Sequence, residues 1–154
     1  MSQSLSFSDS ILIAAEPETV YDIVSDVTRT GEWSPICREC WWDEGDGPRA
    51  GAWFTGRNVK PDREWETRSL VQVADGREFT WSVGPGRVLW SYRVEAEDGG
   101  TRLTESWEVL PAGHEFFSEK YGDEAPAQLA QREQDARTGI PETLAAIKRI
   151  IEQR

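Results

Sequence analysis

The sequence predicts an α+β fold, a curved antiparallel sheet wrapped around a long C-terminal helix. Three observations carry this reading. An alternating segment at the start is followed by a short helix signal, Glu16-Pro17-Glu18. The middle of the chain is a run of alternating segments separated by Asp-Gly, Gly-Gly and Gly-Pro pairs, the pattern of successive hairpins. The end carries an apolar stripe at helical spacing. Seven of the eight tryptophans lie between Trp33 and Trp90, and the layout suits enclosure of an apolar small molecule.

Each element follows from local pattern. Over residues 5–14, Leu5, Phe7, Ile11 and Ile13 share one parity and Ser6, Ser8 and Ser10 the other, which marks a half-buried strand. Asp9 interrupts its apolar face and places that point near an open edge. Pro17 suits the first turn of a helix, where its missing N–H costs nothing, and Glu16 and Glu18 complement the positive helix end. Val20, Ile23, Val24 and Val27 then keep helical spacing, and the helix is expected to fail by Gly31. Trp33-Ser34-Pro35 reads as an ordered loop, because proline disfavours helix at the residue before it.

Six more strands are expected at 37–43, 51–60, 64–74, 77–84, 87–97 and 101–110. The breaks between them are Asp46-Gly47-Pro48, Pro61-Asp62, Asp75-Gly76, Gly84-Pro85-Gly86 and Asp98-Gly99-Gly100. Pro111-Ala112-Gly113 ends the sheet, and 114–123 reads as a loop or a helical turn. From 124 to 152 the chain is expected to be helical, with Ala136, Ile140, Leu144, Ile147 and Ile151 forming the buried stripe. Gly139 and Pro141 inside this pattern predict a kink near 137–141.

Composition narrows the function classes. The 154 residues are read as one domain, 1–154, long enough for a core without disulfides or metals. The net charge of −11 argues against binding nucleic acid through phosphates and against docking on anionic membranes. No apolar run spans a bilayer, so stable membrane insertion is not expected. Met1-Ser2-Gln3-Ser4 does not open a signal peptide, and the cytoplasm is the expected location. Cys37 and Cys40 have C-x-x-C spacing, but with His114 as the single histidine the chain lacks a four-ligand zinc set. The pair is read as two reduced thiols in a strand or loop. No metal and no cofactor are expected, and the chain is read as a monomer or homodimer.

Strand parity selects the inward side chains. Phe54 shares a face with Ala52, Gly56 and Asn58; Trp65 with Thr67, Ser69, Val71 and Val73; Phe79 with Trp81 and Val83. Further along, Trp90, Tyr92 and Val94 align, as do Leu103, Glu105, Trp107 and Val109. The opposite face is charged, as in an antiparallel sheet wet on one side. Glu105 stands out, because an inward carboxylate is costly unless paired and burial raises its pKa. It is either a structural partner of a tryptophan N–H, Tyr92 or Arg132, or the polar anchor or general acid/base of a cavity. His114, in the loop after the sheet, stands where a cavity mouth is expected.

The order Pro17-x-x-Val20-Tyr21-x-x-Val24-x-Asp26, then Trp33-Ser34-Pro35, resembles the opening of the START-like, or SRPBCC, superfamily in its polyketide cyclase/dehydrase branch. Gly51-x-x-Phe54-x-x-x-Asn58, Trp81, Trp90-x-Tyr92 and Gly100-Thr101-x-Leu103-Thr104-Glu105-Ser106-Trp107 agree, and the resemblance runs from about residue 5 to 150. It implies a helix-grip fold: a seven-stranded antiparallel sheet gripping the C-terminal helix, with two small helices after the first strand. It also implies a cavity for lipids, sterols, polyketides or other apolar molecules. Glu105 matches a position where the family often carries an acid.

Three functions are weighed on these residues. The first is binding of a hydrophobic small molecule, a lipid, polyketide or aromatic compound. Phe54, Trp65, Trp81, Trp90, Tyr92 and Trp107 would form the wall, Trp33 and Phe117 the closure, and Asn58, Ser69 and Glu105 the polar anchors. The second is a cyclase or dehydratase, with Glu105 as acid/base assisted by Tyr92 or His114. The third is an acidic protein-interaction module.

Overall fold

The computed structural model describes residues 5–44, 47–84 and 86–153. The expectations that rest on Met1–Ser4, on Asp46 and on Pro85 lie outside the described residues.

The first alternating segment forms strand β1, Leu5–Ile13. Pro17 then opens helix α1, Pro17–Val24, which buries Val20, Tyr21, Ile23 and Val24. The helix stops seven residues before Gly31, and a separate 3-10 helix covers Val27–Glu32. Asp26 starts it: its carboxylate accepts the Thr28 amide at 3.1 Å and the Thr28 hydroxyl at 2.6 Å. A short side chain that satisfies an orphan amide in this way begins a new helical segment and ends continuity with the old one. These are the two small helices after β1.

The remaining strands are β2 Cys37–Trp42, β3 Trp53–Lys60, β4 Arg63–Ala74, β5 Glu78–Val83, β6 Val88–Glu97 and β7 Gly100–Val109. They join β1 in one seven-stranded antiparallel sheet of order β1-β7-β6-β5-β4-β3-β2. Hairpins run in sequence from β2 to β7, and β1 closes the far edge against β7. This is the helix-grip fold.

Helix α2, Pro111–Tyr121, stands where a loop or a helical turn is expected over 114–123: the segment is helical, and it starts three residues earlier and runs for three turns. Pro111 at its first position is the same start signal that opens α1. Gly113 lets this helix approach the β5–β6 turn: a Cβ there would sit 2.2 Å from the Arg87 carbonyl. A 3-10 turn, Gly122–Glu124, leads into helix α3, Ala125–Glu152. All five residues of the predicted stripe are buried on it. The helix runs on through Gly139 and Pro141 to Glu152.

Register arranges the inner face as rows across the sheet. Phe7, Trp107, Trp90, Trp81 and Val71 stand side by side from β1 to β4. The next row runs Asp9, Glu105, Tyr92, Phe79 and Ala74. A bulge between Val71 and Val73 corrects one parity assignment. Val73 pairs with Thr80 on the outer face, and Ala74 takes the inner place opposite Phe79. One extra residue in one strand reverses the facing of everything after it.

Helix α3 packs chiefly on β1, and less on β7. Its C-terminal end is tied to the end of β1: Lys148 Nζ donates to the Leu12 carbonyl at 2.7 Å, and the Ala14 amide donates to Glu152 at 2.8 Å. Toward the other edge, Lys60 of β3 reaches Asp135 of α3 at 2.9 Å. Between these ties, strands β3 to β6 face a gap.

Ile147 is fully buried in the α3 contact. Ile147→Ala is expected to lower unfolding free energy by about 2–5 kcal/mol, read from urea midpoints. A loss under about 0.5 kcal/mol, the range of a neutral surface change, would mean that the α3 stripe does not carry the core.

Candidate functional site

The gap is a cavity of about 990 Å³ between the curved sheet, α3, α2 and the 3-10 helix. Its floor is the tryptophan row. Trp81 and Trp90 stack with centroids 6.4 Å apart and planes 10° apart. Trp81 also meets Phe54, Phe79 and Tyr92 at 5.5–6.0 Å in tilted or edge geometry. Such contacts fix the rings by their quadrupoles as well as by their area. Trp107 lies next in the row, and Trp65 and Phe117 also line the space. Trp33, at the end of the 3-10 helix, is buried against the same space.

Parity puts four polar residues on the wall, Asn58, Thr67, Ser69 and Glu105, and all four line the cavity. Asn58 donates to Thr67 Oγ1 at 3.2 Å and to the Trp65 carbonyl at 3.4 Å, so its amide is held across the β3–β4 pair. Ser69 is buried beside Phe54 and Val83 in register. Glu105 is 4 % exposed, and its Oε1 has no hydrogen-bond partner among the described residues.

The environment of Glu105 decides its protonation. Among the described residues no cation stands against it, and burial pushes its pKa well above the usual carboxylate range. Arg132, a partner considered from the sequence, instead lies over the Phe117 ring at 5.6 Å. Tyr92 is directly opposite Glu105 in register. Burial raises the Tyr92 phenol well above its ordinary value, and the Glu105 charge raises it further. The Trp33 indole lies beside that phenol, yet Trp33 Nε1 makes no hydrogen bond of good geometry. Two buried polar atoms of this kind are costly in a closed core, at about 1–3 kcal/mol each.

The structure therefore places Trp33, Phe54, Asn58, Trp65, Ser69, Trp81, Trp90, Tyr92, Glu105, Trp107 and Phe117 around one space. His114 is the exception: it lies on α2, half-buried, away from the cavity lining. The cause is the helix that starts at Pro111, which turns Phe116 and Phe117 toward the cavity in its place.

The cysteines enter the wall. A bulge between Cys37 and Glu39 brings Cys37 opposite Asn58 and Cys40 opposite Gly56. The missing side chain of Gly56 makes room for both sulfurs, which lie 3.1 and 3.6 Å from where its Cβ would be. The Cys40 thiol donates toward Cys37, so the Cys37 thiol is pulled down and that of Cys40 pushed up. Parity from regular strands could not place them, because the bulge is not written in residue type. Among the described residues no group of three or more His, Cys, Asp or Glu is arranged to hold a metal.

The rim is basic. Arg63 Cζ lies 3.9 Å from the Trp65 ring centre, Arg87 Cζ 3.8 Å from that of Phe116, and Lys120 Nζ 5.5 Å from that of Phe116. The signal was short-range: Arg63-x-Trp65 on one strand face, and Phe116 four residues before Lys120 on one helix face.

Two measurements test this electrostatics. Above about pH 4.5 the unfolded chain releases the Glu105 proton while the folded chain keeps it, so Glu105 lowers stability progressively until its raised folded pKa is reached. Glu105→Gln is therefore expected to unfold at higher urea than the unsubstituted protein at pH 8, with the gain shrinking toward pH ~4.5. A pH-independent difference would show that Glu105 is ionised in the fold. For the thiols, limited iodoacetamide treatment of the native protein is expected to label Cys37 well before Cys40, read by peptide mass spectrometry. Equal labelling would remove the asymmetry.

Comparison with known proteins agrees with this architecture. The family described as polyketide cyclase / dehydrase and lipid transport matches residues 4–137. The solution NMR structure of the Polyketide_cyc-like protein Cgl2372 from Corynebacterium glutamicum is 57% identical, with 99% of this chain and 94% of that chain covered and a TM-score of 0.73. The di-domain ARO/CYC StfQ of the steffimycin biosynthetic pathway shares the fold at 14% identity and a TM-score of 0.73, over 98% of this chain and 51% of that one. Ara h 8.0201 does so at 16% identity and a TM-score of 0.65, over 99% of this chain and 100% of that one. No curated protein matches. No described helix is long and apolar enough to cross a membrane. On the match over most of its length and the relative that shares more than half its residues, the chain belongs to the polyketide cyclase/dehydrase and lipid transport family.

Proposed function

We propose that this protein binds a hydrophobic small molecule in the cavity between the sheet and α3. One observation carries the reading: a space of about 990 Å³ remains open although it is lined by the chain's largest apolar side chains. Pockets that take drug-sized ligands run to about 300–1,000 Å³, mostly apolar with a few placed polar groups. The Trp81 cluster supplies the apolar wall. Glu105 and Trp33 supply polar atoms left without partners, which a ligand oxygen or hydroxyl would satisfy. The family description, with its lipid transport, supports the same reading.

A second reading, a cyclase or dehydratase, is favoured by Glu105 itself. A carboxyl kept protonated in an apolar wall can donate its proton to a carbonyl or a leaving hydroxyl, which is general-acid chemistry. The family description, which names polyketide cyclase and dehydrase, supports this reading as well. Glu105→Gln is then expected to slow turnover of a linear poly-β-ketone by about 100-fold or more. Unchanged turnover would take Glu105 out of the reaction.

The binding reading is tested with the neutral fluorophore N-phenylnaphthylamine, titrated into the whole protein and read by its emission. Saturable binding is expected. Ser69→Phe, which projects a ring into the space, is expected to weaken it by at least about tenfold, or 1.4 kcal/mol, with the far-ultraviolet dichroism unchanged. Equal affinity of the two proteins would place the fluorophore elsewhere.

A further inference from the structure

The basic rim is unusual for this chain. Acidic residues outnumber basic ones 28 to 17. Eight cations are consumed locally: Arg29, Arg57, Lys60, Arg68, Arg93, Arg102, Arg137 and Lys148 all form ion pairs. Arg63, Arg87, Lys120 and Arg132 make no ion pair with a described residue, and all four line the cavity. They come from four separate parts of the fold. Arg63 opens β4, Arg87 lies in the turn before β6, Lys120 is the last residue but one of α2 and Arg132 lies in the first third of α3.

Each is held by an aromatic ring in place of a carboxylate: Arg63 by Trp65, Arg87 and Lys120 by Phe116, Arg132 by Phe117. A cation stacked on a ring keeps its position while its N–H donors remain free. Two of the carboxylates around the same space are engaged elsewhere: Glu64 pairs with Arg57 and Asp135 with Lys60, while Glu66 borders the space opposite Arg57 in register. The interior has the reverse character, with Glu105 and Tyr92 set among tryptophans and no described cation against the carboxyl. An anion is unfavourable at that depth and favourable at the rim.

We propose that the ligand is an amphiphile with an apolar, ring-rich or acyl body and an anionic head, a carboxylate, sulfonate or phosphate, and that Arg63, Arg87, Lys120 and Arg132 hold this head at the cavity rim. The proposal rests on the ligand-binding reading above and adds the polarity and orientation of the ligand: body inward, head outward. Neutral sterols and hydrocarbons lack the group that the rim receives.

The test uses two fluorophores of one skeleton, anilinonaphthalene sulfonate and the neutral N-phenylnaphthylamine, titrated into the whole chain. At low salt the sulfonate is expected to bind about tenfold tighter than the neutral probe, the sum of several partly exposed charge contacts. Raising salt from about 20 mM to about 0.5 M is expected to erode that preference without weakening the neutral probe, because screening acts on the rim charges. In a variant carrying Arg63→Gln, Arg87→Gln, Lys120→Gln and Arg132→Gln the ratio of the two affinities is expected to fall toward one. If that variant fails to fold, the salt series on the unsubstituted protein decides the matter alone. Saturable neutral binding with equal or weaker sulfonate binding overturns the anionic head and leaves the cavity reading standing. A tenfold preference that neither salt nor the substitutions reduce also overturns it. Binding of neither probe overturns both readings.

Discussion

A single helix cannot cover a seven-stranded sheet. Strands lie about 4.8 Å apart, so the sheet is roughly 29 Å wide from edge strand to edge strand. A helix with its side chains is about 10 Å across. Helix α3 settles on β1 and β7, where its apolar stripe and the ties from Lys148 and Glu152 hold it. Helix α1 packs over part of β5 and β6, and the rest of the inner face from β3 to β6 is left without a covering layer. Curvature of the sheet, the short helices after β1 and helix α2 close the sides of that space without filling it. The cavity is thus a consequence of the architecture, and the residue types on its wall decide what it does.

The wall is built from rings that hold one another. Trp81 touches four other aromatic side chains, so its position does not depend on anything occupying the cavity. Against this rigid floor, the unpartnered atoms of Glu105 and Trp33 are the exception. A core selected for stability alone would place an apolar residue at position 105, between Asp9 and Tyr92 in register. Keeping a carboxyl there costs folding energy at neutral pH, which is the usual mark of a residue retained for what it contacts.

Much of this was legible in the sequence, for identifiable reasons. Period-two alternation between turn pairs located all seven strands to within two residues, because hairpins with one wet face state their register in residue type. The α3 stripe was equally plain. The helix over 111–121 was not, since its apolar residues are few and its evidence was one proline at the start. The facing of Val73 and the convergence of Cys37 and Cys40 were hidden by bulges, which depend on backbone packing around a residue such as Gly56. The pairing of Arg63 with Trp65 and of Lys120 with Phe116 is short-range, but the convergence of the rim cations was hidden for a different reason. Arg63, Arg87, Lys120 and Arg132 are far apart in the chain, and only the closed fold brings them to one opening.

The stacked pair Trp81 and Trp90 has a consequence of an optical kind. Two indoles with planes 10° apart and centres 6.4 Å apart lie close enough for their excited states to couple. Both border the cavity, as do Trp33, Trp53, Trp65 and Trp107. Six of the eight tryptophans therefore sit within contact range of whatever occupies the space. The protein's own ultraviolet emission and near-ultraviolet dichroism are weighted toward this one region, so the molecule carries a built-in, label-free gauge of its occupancy.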